Sequence, residues 1–283
     1  LEICFLDLLS DEGWDDAIKS CRYVIHAASP VSLLASNNIE DLVKPAVDGL
    51  KRCLFFSIKN NVKRFVMTSS FSAIGAGSKK AEMNDEDWTD LDNPFISPYD
   101  ISKTKAEKFL WNYKEELNTT AEIEICSVNP VIVIGPSLSR DMGVSNQVIK
   151  KLLDKSTPLT PRCGLNLVDV KDVAKIHVKA MLSSKANGKR FLLSAKTLWF
   201  NEIAHILRKN GYKNAPRFNA PNFLIKLLSI FDKELEIVLF YLGFKNKLHC
   251  NNAINIFDWV PSDIENSIIE TANQMKDYKI ISK

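Results

Sequence analysis

The feature that most constrains this chain is an alternation of short, β-rich apolar runs with longer segments of helical period. "RYVIHAA" (22–28), "RFVMTSS" (64–70), "IEICSVN" (123–129) and "RFLLSA" (190–195) read as strands. Between the first two, Leu42, Ala46, Leu50 and Leu54 recur every fourth residue, which places them on one helix face. A helix between two strands acts as a crossover, so the strands it joins run parallel. Strands this uniformly apolar are covered on both faces. The pattern predicts an α/β fold built on a doubly wound parallel sheet.

Sheets of this kind bind ligands beyond the carboxyl ends of their strands. Function is therefore expected just after each run, at His26–Ser29, Thr68–Ser72 and Asn129–Gly135. The segment "KKAEMNDEDWTDLDNP" (79–94) is polar, acidic and proline-ended, and reads as a surface loop. Beyond about residue 197 the alternation gives way to helical patterns and loops such as "NGYKNAPRFNAP" (210–221). The expected organisation is a sheet domain of residues 1–136 with 165–196 and a smaller, mainly helical substrate cap of 137–164 with 197–283.

Composition narrows the partner. With 46% hydrophobic residues in 283, the chain can bury a sizeable core. Its 37 basic and 34 acidic side chains leave a net charge of +3, too balanced for a nucleic-acid surface or a polybasic membrane patch. A small molecule is the expected partner. The six cysteines make no CxxC pair and no zinc-like spacing with the four histidines, so they read as reduced thiols in a cytoplasmic setting, with no metal site. The sequon Asn118-Thr119-Thr120 is read as chance, since no secretory signal accompanies it. The most apolar stretch, 223–244, is broken by Lys226, Asp232, Lys233, Glu234 and Glu236. It is read as two amphipathic helices in preference to a membrane-surface anchor.

The chemistry is expected in "SPYDISKTKAEKF" (97–109). Tyr99 and Lys103 stand four residues apart, which on a helix puts their side chains on one face with Cβ atoms about 6 Å apart. A nearby ammonium favours the phenolate and is expected to lower the phenol's pKa, making it a proton donor and acceptor near neutrality. Spacing alone is weak, because Tyr241 is also followed by Lys245, in "YLGFK", with no strand-end serine before it. Context separates the two pairs. "VKRFVMTSSFSAIG" (62–75) leaves Thr68, Ser69, Ser70 and Ser72 at the end of a strand, Ser70 lying 29 residues before Tyr99. A hydroxyl there either hydrogen-bonds a substrate carbonyl beside the tyrosine or caps the turn that follows.

These residues and their neighbours resemble the extended short-chain dehydrogenase/reductase family, particularly its dihydroflavonol-reductase-like members within the epimerase/dehydratase superfamily. The likeness runs in order through "DLLSDEGWDDAI", "VIHAASPV", "VKPAVDGLKRCL", "KRFVMTSSFSA", "YDISKTKAE", "VNPVIVIGPSL", "LVDVKDVAKIHVKAM", "GKRFLLSA" and "FDWVPSDIENSI". It implies a Rossmann-like fold and an NADP-dependent oxidoreductase that reduces a ketone or aldehyde, or oxidises the alcohol. It gives Tyr99 the role of general acid, Lys103 that of a cation that tunes Tyr99 and binds the nicotinamide ribose, and Ser70 the substrate carbonyl. By the same likeness Asp7 and Leu8 contact the adenine, Ala27, Ala28 and Ser29 lie where the dinucleotide crosses the sheet, and Pro130, Val131, Ile132 and Val133 stand beside the nicotinamide.

The family opens with a strand and a GxxGxxG turn that cradles the pyrophosphate, and nothing like it precedes "DLLSDEG". Gly75-Ala76-Gly77 is the one GxG, and it is read as a loop. The chain is thus expected to be a fragment lacking about 50 to 60 residues, together with the residue that selects NADP over NAD. NADP is the cofactor implied, NAD the alternative. Val131, where many relatives carry Gly or Thr, either narrows the nicotinamide pocket or is harmless. His26 is read as packing under the cofactor, and the five tryptophans as packing residues. Two other readings are a nucleotide-sugar epimerase/dehydratase or 3β-hydroxysteroid dehydrogenase with the same three residues, and a non-catalytic dinucleotide sensor or pseudoenzyme.

Overall fold

The computed structural model describes residues 2–30, 39–230 and 233–281. Val31, which ends the "VIHAASPV" motif, and Asp232, within 223–244, lie outside the described residues. The strands are β1 (Tyr23–His26), β2 (Arg64–Thr68), β3 (Glu82–Asn84), β4 (Glu124–Pro130), β5 (Ile132–Ile134), β6 (Gly164–Asp169), β7 (Lys189–Leu193), β8 (Lys196–Trp199) and β9 (Lys247–His249). The first α-helices are α1 (Trp14–Ile18), α2 (Glu40–Lys59), α3 (Ser72–Gly75), α4 (Pro98–Trp111), α5 (Tyr113–Glu116) and α6 (Gln147–Leu153). They are followed by α7 (Val170–Leu182), α8 (Phe200–Lys209), α9 (Asn222–Leu228), α10 (Lys233–Phe240), α11 (Asn251–Phe257) and α12 (Ile264–Asp277).

The four apolar runs become β1, β2, β4 and β7, an all-parallel sheet in the order β1-β2-β4-β7. Its register pairs His26 with Met67, Thr68 with Val128 and Pro130 with Leu193, which brings the carboxyl ends of neighbouring strands to one edge. Both faces are covered. Phe65 and Met67 point into a core with Leu50, Leu54, Ala106 and Leu110, whereas Val66 and Val128 point the other way, toward Ile176, Ala180 and Phe257. The i, i+4 stripe of α2 is buried as expected, and burial of each Leu in it contributes about 1.5–3 kcal/mol, enough to fix where the helix lies. Ala27 and Ala28 lie beyond the end of β1, so the chain leaves the sheet two residues before the apolar run ends.

A second core lies over β5, β6 and β8, in which β6 pairs parallel with β5 and antiparallel with β8. Ile134, Leu152, Leu167, Leu198, Leu207, Ile268 and Met275 fill it, contributed by these strands with α6, α8 and α12. The 79–94 segment departs from the surface-loop expectation. It contributes β3, paired with β9, and buries Asp85 and Thr89. The reason is hydrogen-bonding demand: Asp85 accepts from the backbone of Leu192 (2.8 Å) and Asn252 (3.1 Å), and the carbonyls of Asp85 and Asp87 accept from buried Arg190. Gly75 ends α3 with its bare Cα against Met83, and Gly77 adopts a positive φ of 68°, so this GxG serves packing and a turn. Among the described residues no helix is long and apolar enough to cross a membrane, and no group of metal-ligating side chains forms.

Candidate active site

Helix α4 starts where it does because of its cap. The Ser97 hydroxyl accepts from the Asp100 backbone, the Asp100 carboxylate accepts from the Ser97 backbone at 2.8 Å, and Pro98 supplies the first helical position. That start puts Tyr99 in the first turn and Lys103 one turn on. Lys103 is 4% exposed; its Nζ donates to the Thr68 carbonyl at 3.3 Å and stands 5.9 Å from the centre of the Tyr99 ring. Ser70, just past β2, accepts from the Ser72 backbone at 3.1 Å, and its hydroxyl lies close enough to the Tyr99 phenol to oppose the rise in that group's pKa. The Ser70 hydroxyl caps the turn that follows β2 and lies on the Tyr99 side of the strand end. Ser70, Tyr99 and Lys103 meet at the carboxyl end of β2.

The electrostatics differ from the simple expectation. Burial pushes the Tyr99 phenol above its ordinary value; the Ser70 hydroxyl opposes this and the Asp100 carboxylate adds to it. The buried Lys103 ammonium is itself brought down to about 8 by loss of water, with Glu107 acting against the fall. Desolvation acts on both members of the pair, and the phenol is raised rather than lowered. His26 is 6% exposed, its ring 6.0 Å from that of Phe65, and burial with the Lys103 charge lowers its pKa to about 4. It is a neutral packing residue at neutral pH.

The other predicted residues divide. Ala27 and Ala28 are exposed and Ser29 half-buried, on the sheet edge one strand over from Ser70. Pro130 ends β4 and its carbonyl accepts from Phe71 at 2.9 Å, tying it to the Ser70 turn. Ile132 and Val133 are half-buried in β5. Val131 is 8% exposed and packs with Val66, Ile74 and Val128, so its branched side chain fills core. Asp7 and Leu8 are joined to α1 and α2: the Asp7 carbonyl accepts from the Trp14 indole at 3.1 Å, the Leu8 carbonyl accepts from Arg52, and the Leu8 side chain lies against Gly49. Tyr241 and Lys245 part company. The Tyr241 hydroxyl accepts from Gly77 at 2.7 Å, and Lys245 pairs with Glu202.

Sequence reasoning missed Glu107, which is fully buried beneath this site. Its signal was present, since 99, 103 and 107 continue one i, i+4 stripe.

The model of the NAD dependent epimerase/dehydratase family matches residues 1–193. This chain belongs to the NAD-dependent epimerase/dehydratase family. As an epimerase/dehydratase-family chain it is 31% identical over 216 residues to a cinnamoyl-CoA reductase of Medicago truncatula, covering 74% of itself and 64% of that protein. It is 29% identical over 211 residues to the NADPH-dependent methylglyoxal reductase of Saccharomyces cerevisiae, covering 68% of itself and 61% of that protein. In both cases the match spans less than two thirds of the relative's length. Among solved structures, yeast methylglyoxal/isovaleraldehyde reductase complexed with NADPH superposes with a TM-score of 0.77 at 24% identity, over 96% of this chain and 83% of that one. Vestitone reductase from alfalfa gives 0.74 at 22% identity, over 97% and 82%. These likenesses establish the Rossmann-like fold.

Proposed function

We propose that this chain acts as an NADP-dependent reductase that converts a ketone or aldehyde to an alcohol. The observation that carries the reading is the meeting of Ser70, Tyr99 and Lys103 at the carboxyl end of β2, next to an open ledge of small residues at Ala27–Ser29. The names of two similar proteins, an NADPH-dependent methylglyoxal reductase and a cinnamoyl-CoA reductase, support it.

The residues present fit a dinucleotide. Among the described residues the Lys103 ammonium donates to a single acceptor, Thr68 O, which leaves donors for ribose hydroxyls. The exposed Ala27 and Ala28 let a planar group lie close to the backbone. Lys103, Ala27, Ala28, Ser29, Ile132 and Val133 would hold the nicotinamide half, and Asp7 and Leu8 the adenine. When bound, the reduced dinucleotide supplies a hydride to the carbonyl carbon.

The chain's own groups act on the oxygen. The Ser70 hydroxyl and the Tyr99 phenol both donate to it, and Tyr99 gives up its proton as charge develops there. A phenol with a raised pKa keeps that proton until the oxygen becomes basic enough to take it. The phenolate left behind is stabilised by the charge on Lys103. Segments 137–164 and 197–283 are proposed as the substrate cap.

The test is NADPH binding followed by fluorescence, then NADPH consumption with a panel of aldehydes and ketones. Net oxidation of NADPH with formation of alcohol supports the reductase. Isomerised substrate with unchanged NADPH would replace it with an epimerase, and binding without turnover would replace it with a sensor.

A further inference from the structure

One group beneath the site remains without a role. Glu107 lies one turn beyond Lys103 on the same face of α4, with no exposed surface. Its carboxylate accepts from Ser69 Oγ (2.5 Å), Ser127 Oγ (2.8 Å), Asn129 Nδ2 (2.7 Å), Trp111 Nε1 (3.1 Å) and Arg190 Nε (2.7 Å). Burial pushes this carboxyl up, but the Arg190 guanidinium and the hydrogen bonds outweigh it and hold it below the usual carboxylate range.

A buried ion pair is a poor device for stability alone, since an apolar pair of similar volume serves about as well. The direction of these hydrogen bonds is therefore informative. Ser69 precedes Ser70, and the Asn129 amide that binds Glu107 also donates to the Ser70 carbonyl at 3.3 Å. Both sides of the Ser70 peptide unit are thus fastened to the helix that carries Tyr99 and Lys103.

We propose that Glu107 is a positioning residue for the Tyr99 site: its carboxylate ties the end of β2, and so the Ser70 hydroxyl, to α4, and supplies the counter-charge beneath Lys103. This rests on the reductase reading for its catalytic consequence, but not for the coupling between Glu107 and Lys103. The groups that face Lys103 are His26 from β1, the Thr68 carbonyl from β2, and Tyr99 and Glu107 from α4. His26 is neutral near pH 7, so Glu107 is the anion among them. Facing Glu107 from β7 is Arg190, which the carbonyls of Ala73, Asp85 and Asp87 also hold.

Removing only the carboxylate strands Arg190 and risks unfolding, so the deciding variant is the double change Glu107→Gln with Arg190→Met, which leaves no guanidinium buried without its carboxylate. Lysine side-chain NMR, assigned by the signal lost in Lys103→Arg, follows Lys103 through a pH titration. The parent is expected to titrate at about 8, and the folded double variant to bind that proton about tenfold more weakly. Turnover of the best carbonyl substrate is expected to fall about a hundred-fold in kcat with KM little changed, as a misplaced reacting group would cause. Ser69→Ala keeps the ion pair and cuts one tie to β2; it is expected to lower kcat while leaving the Lys103 titration in place. A Lys103 midpoint unchanged in the double variant would overturn the proposal, as would undiminished kcat in both variants. If no carbonyl is reduced by the parent, the reductase reading fails and the NMR titration alone decides the role of Glu107.

Discussion

The Lys103 ammonium donates across 3.3 Å to the backbone carbonyl of Thr68, which anchors the cation of α4 to the end of β2. Holding a charge there costs stability. The pKa of Lys103 falls from 10.5 to about 8 because the folded site strips its water, so the site costs about 3 kcal/mol at pH 7. Replacing Lys103 by Met should raise stability at pH 7 by about 1–3 kcal/mol, the lost hydrogen bond offsetting part of the gain. The sign follows from linkage. The unfolded chain holds its proton up to about 10.5 and the folded one only to about 8, so parent stability rises between those values. Denaturant unfolding at several pH values checks this. A Lys103→Met variant less stable than the parent, or a parent without that alkaline gain, would count against it.

Under the proposed reductase function, the same group is expected to set the alkaline limit of turnover. Tyr99 is raised above its ordinary value and keeps its proton through the range in which Lys103 loses its own. The kcat/KM profile should therefore fall with a midpoint near 8, as the ammonium disappears from the free enzyme. Lys103→Arg, which cannot be deprotonated in this range, should move that limb upward if it turns over at all. A limb that stays put in Lys103→Arg belongs to another group.

His26 gives the acid side. Its pKa drops from 6.5 to about 4 on folding, chiefly because it is buried. Above pH 6.5 both states are neutral and the full stability is present. Below it the unfolded chain takes the proton first, and about 3 kcal/mol is lost by about pH 4. His26→Gln should be free of this loss, so its stability relative to the parent should improve on acidification. Parallel pH curves for the two proteins would contradict the assignment.

The sheet was legible because its strands are apolar on both faces, and β1, β2, β4 and β7 lie where the four runs were read. The stripe 42–46–50–54 likewise found its core. What spacing could not convey is depth. Four residues between Tyr99 and Lys103 set a distance, yet the sign of the phenol's shift depends on how much water the site excludes, which burial supplies and a sequence interval does not. For the same reason 79–94 read as surface: its acidic residues look solvated until β7 brings Arg190 beneath them. Glu107 sits among Lys105 and Lys108, both exposed, and its place on the 99–103–107 stripe is the one local mark of an inward charge. Its partners come from β2, β4 and β7, remote in sequence. For Val131 the likeness left a narrowed pocket and a harmless change both open, and its side chain packs in core with Val66, Ile74 and Val128.

The most direct test is Tyr99→Phe, with NADPH affinity and steady-state reduction measured side by side. Phenylalanine keeps the ring and removes the one proton in question. Turnover should fall by about a hundred- to ten-thousand-fold, with NADPH bound as in the parent. A variant that reduces the same carbonyl at the parent's rate would contradict the account.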